Sequence, residues 1–423
     1  MEYKESKNIE LKEKFSKSLL KTISAFSNYQ DGKIYIGVND LGEVVGVEDI
    51  YILKLNVENT INDSITPRPI YKLNILEDEG KMILEIEVYK GEDGPYYYDG
   101  KAYARYDTST VPIDGINLTR LVLKSKNLSF DQVKTEEKNL KFGFFEKYIA
   151  EKLKIKQLDE AVFKTLGLVQ DGKFNNGAAL LADNGQIEQS YVDIARFKLY
   201  TDEFLDRVKL NSDSILKYYE AVLSYFYKYY SPYQKVEGFT RIEKERVPID
   251  AFRETIANAI VHRDYIIRSG VQIAMFDNRI EVRSPGGLVD GISEKLYFEG
   301  LTSVPRNPII SYIFFRLGII EQFGTGVKKI INSYKRYNLR PFFEIEKEQI
   351  RIVLPVIDYD YTKLNIIEGI VAFLQAYPKS TRIEIQEALK MEKSFIIRRL
   401  NELADEGKIV KIGNGPTVFY SAR

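Results

Sequence analysis

Between Arg253 and Tyr265 the chain reads Arg-Glu-Thr-Ile-Ala-Asn-Ala-Ile-Val-His-Arg-Asp-Tyr, and this run leaves little choice of local structure. Glu254, Asn258 and His262 stand four residues apart, a spacing that predicts a helix with all three on one stripe. Ala257, Ile260 and Val261 are left to face a core. A carboxylate, an amide and an imidazole along one helical face suit a metal-phosphate site. The plain alternative is a helix with its polar side in water. His262 is the only histidine among 423 residues.

Composition narrows the classes. The length suits two to four domains, and 44% apolar residues with 30 Tyr and 23 Phe supply a packed core. The 61 basic and 61 acidic residues cancel, so any nucleic-acid surface must be a local patch. Without cysteine there is no disulfide, thiolate zinc site or cysteine nucleophile. One histidine argues against a His-rich metal centre and a Ser-His-Asp hydrolase. The opening Met-Glu-Tyr-Lys-Glu-Ser-Lys has no apolar leader, and no run of about 18 apolar residues exists to span a bilayer. The expectation is a soluble cytoplasmic protein with no membrane partner.

Four segments follow from the patterning. Residues 1–125 mix strands and helices: Ile9-Glu10-Leu11-Lys12 alternates as a half-buried strand. Residues 18–28 carry a helical stripe, 33–38 read as a strand, and 71–75 with 82–88 read as a hairpin around Glu79-Gly80. Residues 126–245 read as mainly helical, with a turn at 172–185. Residues 246–357 hold the His262 helix, then strands 271–276 and 279–282 joined by Asp277-Asn278. Residues 362–423 read as three helices and a hairpin.

Glycines add to the third segment. Gly324-Thr325-Gly326 precedes Val327-Lys328-Lys329, a helix start whose amides and dipole favour an anion. Alone, it is equally a tight turn. With Glu254, Asn258, His262 and the loop Pro285-Gly286-Gly287 it forms a nucleotide-site hypothesis. No GxxxxGK[ST] occurs, since each Gly-Lys pair is followed by Ile, Met, Ala or Phe, so no P-loop motor is encoded.

The order Glu254-x-x-x-Asn258-Ala-x-x-His262, hairpin strands, Pro-Gly-Gly and Gly-Thr-Gly resembles the GHKL ATPases, in the branch called RecG C-terminal-like. The strings His262-Arg263-Asp264-Tyr265, Arg306-Asn307-Pro308 and 320–326 carry that resemblance. It implies ATP with Mg²⁺ as cofactor, Glu254 as general base, and Asn258 as ligand of the phosphate-bridging Mg²⁺. Nucleotide contacts are implied for His262, Arg263, Asp264, Gly286, Gly287, Gly324, Thr325 and Gly326. Where such enzymes keep an Asp that reads adenine, this chain has Ser284-Pro285, so adenine specificity has no support.

Glu5-Ser6-Lys7-Asn8-Ile9-Glu10-Leu11-Lys12, Ala25-Phe26-Ser27-Asn28 and 37–42 resemble the AlbA-like domain of Schlafen proteins, a nucleic-acid module and in some members a metal-dependent endoribonuclease. The resemblance places Mg²⁺ or Mn²⁺ on Glu5, Glu10 and Asp40, with Lys12 beside Glu10 on the strand face. Further along, Tyr96-Tyr97-Tyr98, Lys101, Tyr103, Arg105 and Tyr106 suit either base stacking or strand packing.

The last segment follows a winged-helix plan. Helices are expected at 366–376, at 381–389 behind a Ser380 or Thr381 cap, and at 394–403. A wing is expected at Gly413-Asn414-Gly415-Pro416. Lys393, Ser394, Arg398 and Arg399 would reach DNA. With ten basic against seven acidic residues in 362–423, a protein-binding module stays open.

The expected fold is thus α+β and multidomain: a Schlafen/AlbA-like domain (1–125), a mainly helical intermediate region (126–245), a GHKL-like α/β sandwich (246–357) and a winged helix-turn-helix (362–423). The function expected is a nucleotide-binding transcriptional regulator whose DNA or RNA binding responds to nucleotide. The alternative is a Schlafen-like endoribonuclease in a defence or stress role. A homodimer is left open.

Overall fold

The computed structural model describes residues 3–155, 157–199, 203–211, 213–300, 304–321, 324–414 and 418–423. The chain forms two compact units, Met1–Leu128 and Ser129–Arg423.

In the first unit, β1 (Ile9–Lys12), β2 (Gly32–Ile36), β3 (Ile70–Asp78) and β4 (Lys81–Tyr89) build a sheet in the order β1-β2-β4-β3, α1 (Leu19–Tyr29) joins β1 to β2, and β5 (Lys101–Tyr106) belongs to a second sheet. β1 runs parallel to β2 and the other pairs are antiparallel. The β3–β4 loop is two residues long, with Glu79 at φ 51 and Gly80 at φ 71. Two positive φ values in a two-residue loop match the twist of the strands they join. α1 buries Leu19, Leu20, Ile23 and Phe26 against Ile34 and Ile86. Asn28 fixes its last turn, accepting from Tyr96 N (2.7 Å) and donating to Tyr96 O (3.1 Å).

The second unit centres on six strands. β6 (Tyr191–Phe197), β7 (Phe204–Asn211), β8 (Val271–Met275), β9 (Arg279–Pro285), β10 (Phe342–Ile345) and β11 (Gln349–Pro355) lie in the order β7-β6-β8-β9-β11-β10. Only β6 and β8 pair in parallel, Ile194 beside Ile273. A parallel pair needs a long crossover, supplied here by α2 (Ile215–Tyr230) and α3 (Ile249–Val261). These helices meet through the stacked rings of Phe226 and Phe252, 4.3 Å apart.

The 126–245 segment therefore does more than the mainly helical reading allows: β6 and β7 complete the sheet. Within β6, buried Val192 and Ile194 alternate with half-exposed neighbours, a two-residue period that the dense Lys, Tyr and Leu of the flanking helices obscures. The 172–185 stretch likewise contains a short buried helix, Asn176–Leu181, started by Asn175 Oδ1 accepting from Ala178 N at 3.0 Å.

Three further helices bound the site: α4 (Glu294–Glu299), α5 (Pro308–Arg316) and α6 (Gly326–Lys335). Buried Asp131 anchors α5, its Oδ2 accepting from Ile309 N (2.8 Å) and Ile310 N (3.1 Å). That frees Asn307 to serve α3 instead. Its amide donates to Val261 O and Arg263 O, both at 2.8 Å, which satisfies carbonyls exposed at the end of α3.

The C-terminal part holds α7 (Ile366–Ala376), β12 (Ser380–Thr381), α8 (Arg382–Leu389), α9 (Lys393–Asp405), β13 (Ile409–Ile412) and β14 (Phe419–Ala422), with sheet order β12-β14-β13. Thr381 caps α8 in a reciprocal box: Glu384 N donates to Thr381 Oγ1 (3.3 Å) and Thr381 N to Glu384 Oε2 (2.7 Å). The expected wing falls on Gly415 and Pro416, which lie outside the described residues.

Candidate functional site

α3 turns Glu254, Asn258 and His262 toward one cavity of about 530 Å³, as their spacing predicts. At 1.5 Å per residue the stripe is about 12 Å long, so the cavity has two distinct ends.

The first end faces the start of α6. Asn258 Nδ2 donates to Glu254 Oε1 at 3.1 Å, and Asn258 Oδ1 has no partner among the described residues. A Cβ on Gly326 would lie 2.3 Å from Glu254 Oε1 and 2.8 Å from Asn258 Nδ2, so only glycine lets the helix start approach. Glu254 is 4% exposed. Burial raises its pKa, against the opposing pull of Lys329 and the Asn258 amide. Lys329 Nζ lies 3.9 Å from Glu254 Oε2 and 3.3 Å from Glu321 Oε1. Sequence reasoning gave Lys329 no role, although it shares a face with Gly326 three residues earlier. Gly324 also lines the cavity, whereas Thr325 does not and donates to Glu321 Oε2 at 3.1 Å.

The second end holds His262, Gly286 and Gly287. Desolvation, reinforced by the Arg306 guanidinium, pushes the His262 pKa down to about 4, so the imidazole is neutral at ordinary pH. Gly286 has φ +97 and packs where a Cβ would meet Asp264 Cβ at 2.6 Å; on Gly287 it would meet Glu346 O at 2.3 Å. Their amides are already used, Gly286 N donating to Glu348 O (2.7 Å) and Gly287 N to Lys347 O (3.1 Å). These glycines shape the wall and offer no amide to a phosphate.

Arg263 and Asp264 do not line the cavity. Arg263 is 1% exposed, donates to the carbonyls of Gln189, Ile267 and Ser269, and lies 4.5 Å from the Tyr265 ring centre. Asp264 accepts from Arg306 Nη1 (2.9 Å), while Arg306 Nη2 reaches Gly287 O (2.8 Å). Neither of these two side chains expected to contact nucleotide lines the cavity: Asp264 is held by Arg306, and Arg263 by backbone carbonyls.

In the first unit, Glu5, Glu10 and Asp40 do converge, but on a cation the chain itself provides. Lys12 Nζ stands 3.4 Å from Glu5 Oε1, 3.1 Å from Glu10 Oε1 and 3.7 Å from Asp40 Oδ1. Partial desolvation works against its charge, yet Glu10, Glu5 and Asp40 together keep its pKa raised. Arg105 pairs with the second oxygen of Glu10 and donates to Ser6 O and Ile9 O. It is 6% exposed, so its role is to pin β1, and the base-stacking reading fails for it. Tyr96 and Tyr103 are core residues, whereas Tyr106 is exposed. Among the described residues no group of three acidic or histidine side chains is arranged to hold a metal, and no helix is long and apolar enough to cross a membrane.

Residues 1–114 match the family described as Schlafen, AlbA_2, and residues 269–354 match the one described as putative ATP-dependent DNA helicase recG C-terminal. The chain carries a Schlafen AlbA_2 domain and a recG-C-terminal-type domain. The crystal structure of the DIP2311 protein from Corynebacterium diphtheriae is 17% identical, over 99% of this chain and 92% of that one, with a TM-score of 0.47. The solution structure of the N-terminal domain of a putative ATP-dependent DNA helicase RecG-related protein from Nitrosomonas europaea is 24% identical, over 25% of this chain and 83% of that one, with a TM-score of 0.21. No curated protein matches the chain. The two domain matches give the protein a nucleotide- and nucleic-acid-related character.

Gly286, Gly287, Gly324 and Gly326 lie inside the recG-C-terminal-type match, while Glu254, Asn258 and His262 precede it. Beyond this domain, Lys393, Ser394 and Arg398 are exposed on α9. Arg399 is half-buried and tied to Glu402 at 2.6 Å, and both arginines lie over the Phe395 ring.

Proposed function

We propose that the protein is a nucleotide-binding regulator in which ATP with Mg²⁺ at the α3 cavity controls binding of DNA by the C-terminal part, read as a winged helix. The observation that carries this reading is the Glu254–Asn258 pair facing the glycine start of α6. An uncommitted amide oxygen beside a buried carboxylate is a hard-cation donor set, and the bare helix start suits phosphate. These residues fit a magnesium nucleotide: Asn258 would hold the metal and the α6 start the phosphates. The magnesium ion would supply neutralisation of phosphate charge. Glu254, buried and flanked by Lys329, is the general base for water if the nucleotide is hydrolysed. Lys393, Ser394 and Arg398 are the DNA contacts favoured by exposure; Arg399 is half-buried and held closer to Glu402 (2.6 Å) than Arg398 is (3.8 Å).

α6 supplies the connection between the two ends of this unit. Its first residue touches Glu254 and Asn258. Beyond its end, Leu339 packs against both the sheet core and the C-terminal core. Arg340 donates to Pro378 O (3.5 Å) and to Lys379 O, Ser380 Oγ and Glu384 Oε1, each at 3.3 Å. A nucleotide that shifts the α6 start therefore acts on an element gripping the C-terminal part. Arg340→Ala should leave nucleotide and DNA affinities each within about threefold of wild type while removing the change in DNA affinity on nucleotide addition. Fluorescence anisotropy with and without nucleotide measures this, and an unchanged response would rule out the α6 route.

A second reading, metal-dependent cleavage of structured RNA by the first unit, is favoured by the convergence of Glu5, Glu10 and Asp40. Mg²⁺ or Mn²⁺ fits there only with the Lys12 ammonium moved aside. Cleavage should need the metal and fall about 100-fold in Glu10→Gln, in the range of a lost catalytic group, with melting checked because Arg105 loses its partner. Wild-type protein that cuts neither RNA, tRNA nor DNA in any metal removes this reading.

A further inference from the structure

The cavity is electrically lopsided. Its two lining carboxylates, Glu254 and Glu321, both belong to the α6 end, where Lys329 stands between them. Among the described residues the opposite end has no charged lining group. Asp264, the acid nearest to it in sequence, is off the lining and held by Arg306. The Gly286 and Gly287 amides are spent on Glu348 and Lys347.

Of the polar side chains lining the cavity, His262 and Ser284 are tied to this end through α3 and keep hydrogen-bonding capacity. The His262 ring nitrogens have no partner among the described residues, and the neutral ring offers one N–H donor and one nitrogen acceptor. Ser284 Oγ gives its proton to Ala259 O at 2.9 Å, which leaves lone pairs free to accept. Ala259 lies three residues before His262 on α3, so both groups serve the same end of the cavity. Val282, two residues before Ser284 on β9, and its cross-strand neighbour Ile352 add apolar lining.

A ligand whose phosphates lie at the α6 start projects its far end toward this pair. Adenine presents a donor amine beside an acceptor ring nitrogen; guanine presents an acceptor carbonyl beside a donor ring N–H. A carboxylate can only accept, so it would discriminate between bases, taking either the adenine amine alone or the guanine ring N–H together with its 2-amine. A neutral imidazole with a serine oxygen offers one donor and one acceptor to either edge. We propose that His262, with Ser284, is the base-reading element of this cavity and accepts a purine nucleotide of either kind. The assignment rests on the nucleotide reading above and specifies its ligand class.

Calorimetric titration of the full chain with the magnesium salts of ATP, GTP and CTP, and with inorganic tripolyphosphate, tests it. ATP and GTP should bind within about fivefold of each other and about tenfold tighter than CTP, whose single ring presents the same edge as adenine but buries less apolar surface against Val282 and Ile352. His262→Ala should weaken both purines about tenfold, the loss expected for one good hydrogen bond, and leave tripolyphosphate unchanged. His262→Gln, which keeps a donor and an acceptor, should recover most of the loss. Ser284→Ala, which keeps the imidazole, should weaken both purines alike and stands in if His262→Ala does not fold. ATP bound more than about 50-fold tighter than GTP, or purine affinities untouched by His262→Ala, would overturn the assignment while the nucleotide reading stands. Wild type that binds neither nucleotide nor tripolyphosphate would overturn both.

Discussion

Asn258→Ala should cost the protein at least about 100-fold in magnesium-nucleotide affinity, close to 2.7 kcal/mol, and abolish any effect of nucleotide on DNA binding. The substitution removes an uncommitted amide oxygen at the α6 end, and it also strips Glu254 of its 3.1 Å hydrogen bond. Basal DNA affinity should persist, because the exposed residues of α9 are untouched. Calorimetry with nucleotide and anisotropy with DNA separate the two effects. Wild-type nucleotide affinity in this variant, or an intact nucleotide response, would sink the proposed mechanism.

Glu254→Gln should divide activity from stability. If the protein hydrolyses nucleotide, loss of the general base should slow turnover by about 10²- to 10⁴-fold, with binding largely kept. The fold should gain. The Glu254 carboxyl has its pKa raised by burial above the ordinary 4.5, so the native state holds this proton more tightly than the unfolded chain does. Stability from this group is therefore present at low pH and is lost as pH rises from about 4.5 through the raised folded value. A glutamine carries no such dependence and keeps the contact with Asn258. The variant should melt at a higher temperature than wild type at pH 8, with the gap closing toward pH 4.5. Lys329 retains Glu321 as its partner, which limits the offsetting loss. A lower melting temperature at pH 8, confirmed by circular dichroism, would contradict the view of Glu254 as a strained buried acid kept for chemistry.

The legible parts of this chain were those governed by neighbours in sequence. Helical period alone put Glu254, Asn258 and His262 on one stripe. Asp277-Asn278 marked a strand turn, and Ser380 or Thr381 marked a helix start, because each depends on residues within four positions of one another. β6 was hidden for the opposite reason. Tyr191–Phe197 becomes a central strand only by pairing with Val271–Met275, about eighty residues on, and nothing local declares that partner.

The site divides along the same line. Sequence by itself determined which side chains reach the cavity from α3 and that glycines would border it. Tertiary structure decided which of those groups stay available for a ligand. Arg263 and Asp264 belong to the same short run as His262, yet burial beside distant carbonyls and Arg306 commits them to the scaffold. The Gly286 and Gly287 amides are taken by Glu348 and Lys347, and Lys12 stands where the three N-terminal carboxylates meet. A buried polar group must be paired with whatever approaches it, and what approaches is set by chain segments far away in sequence. His262 keeps a free ring because none of those segments supplies a partner among the described residues.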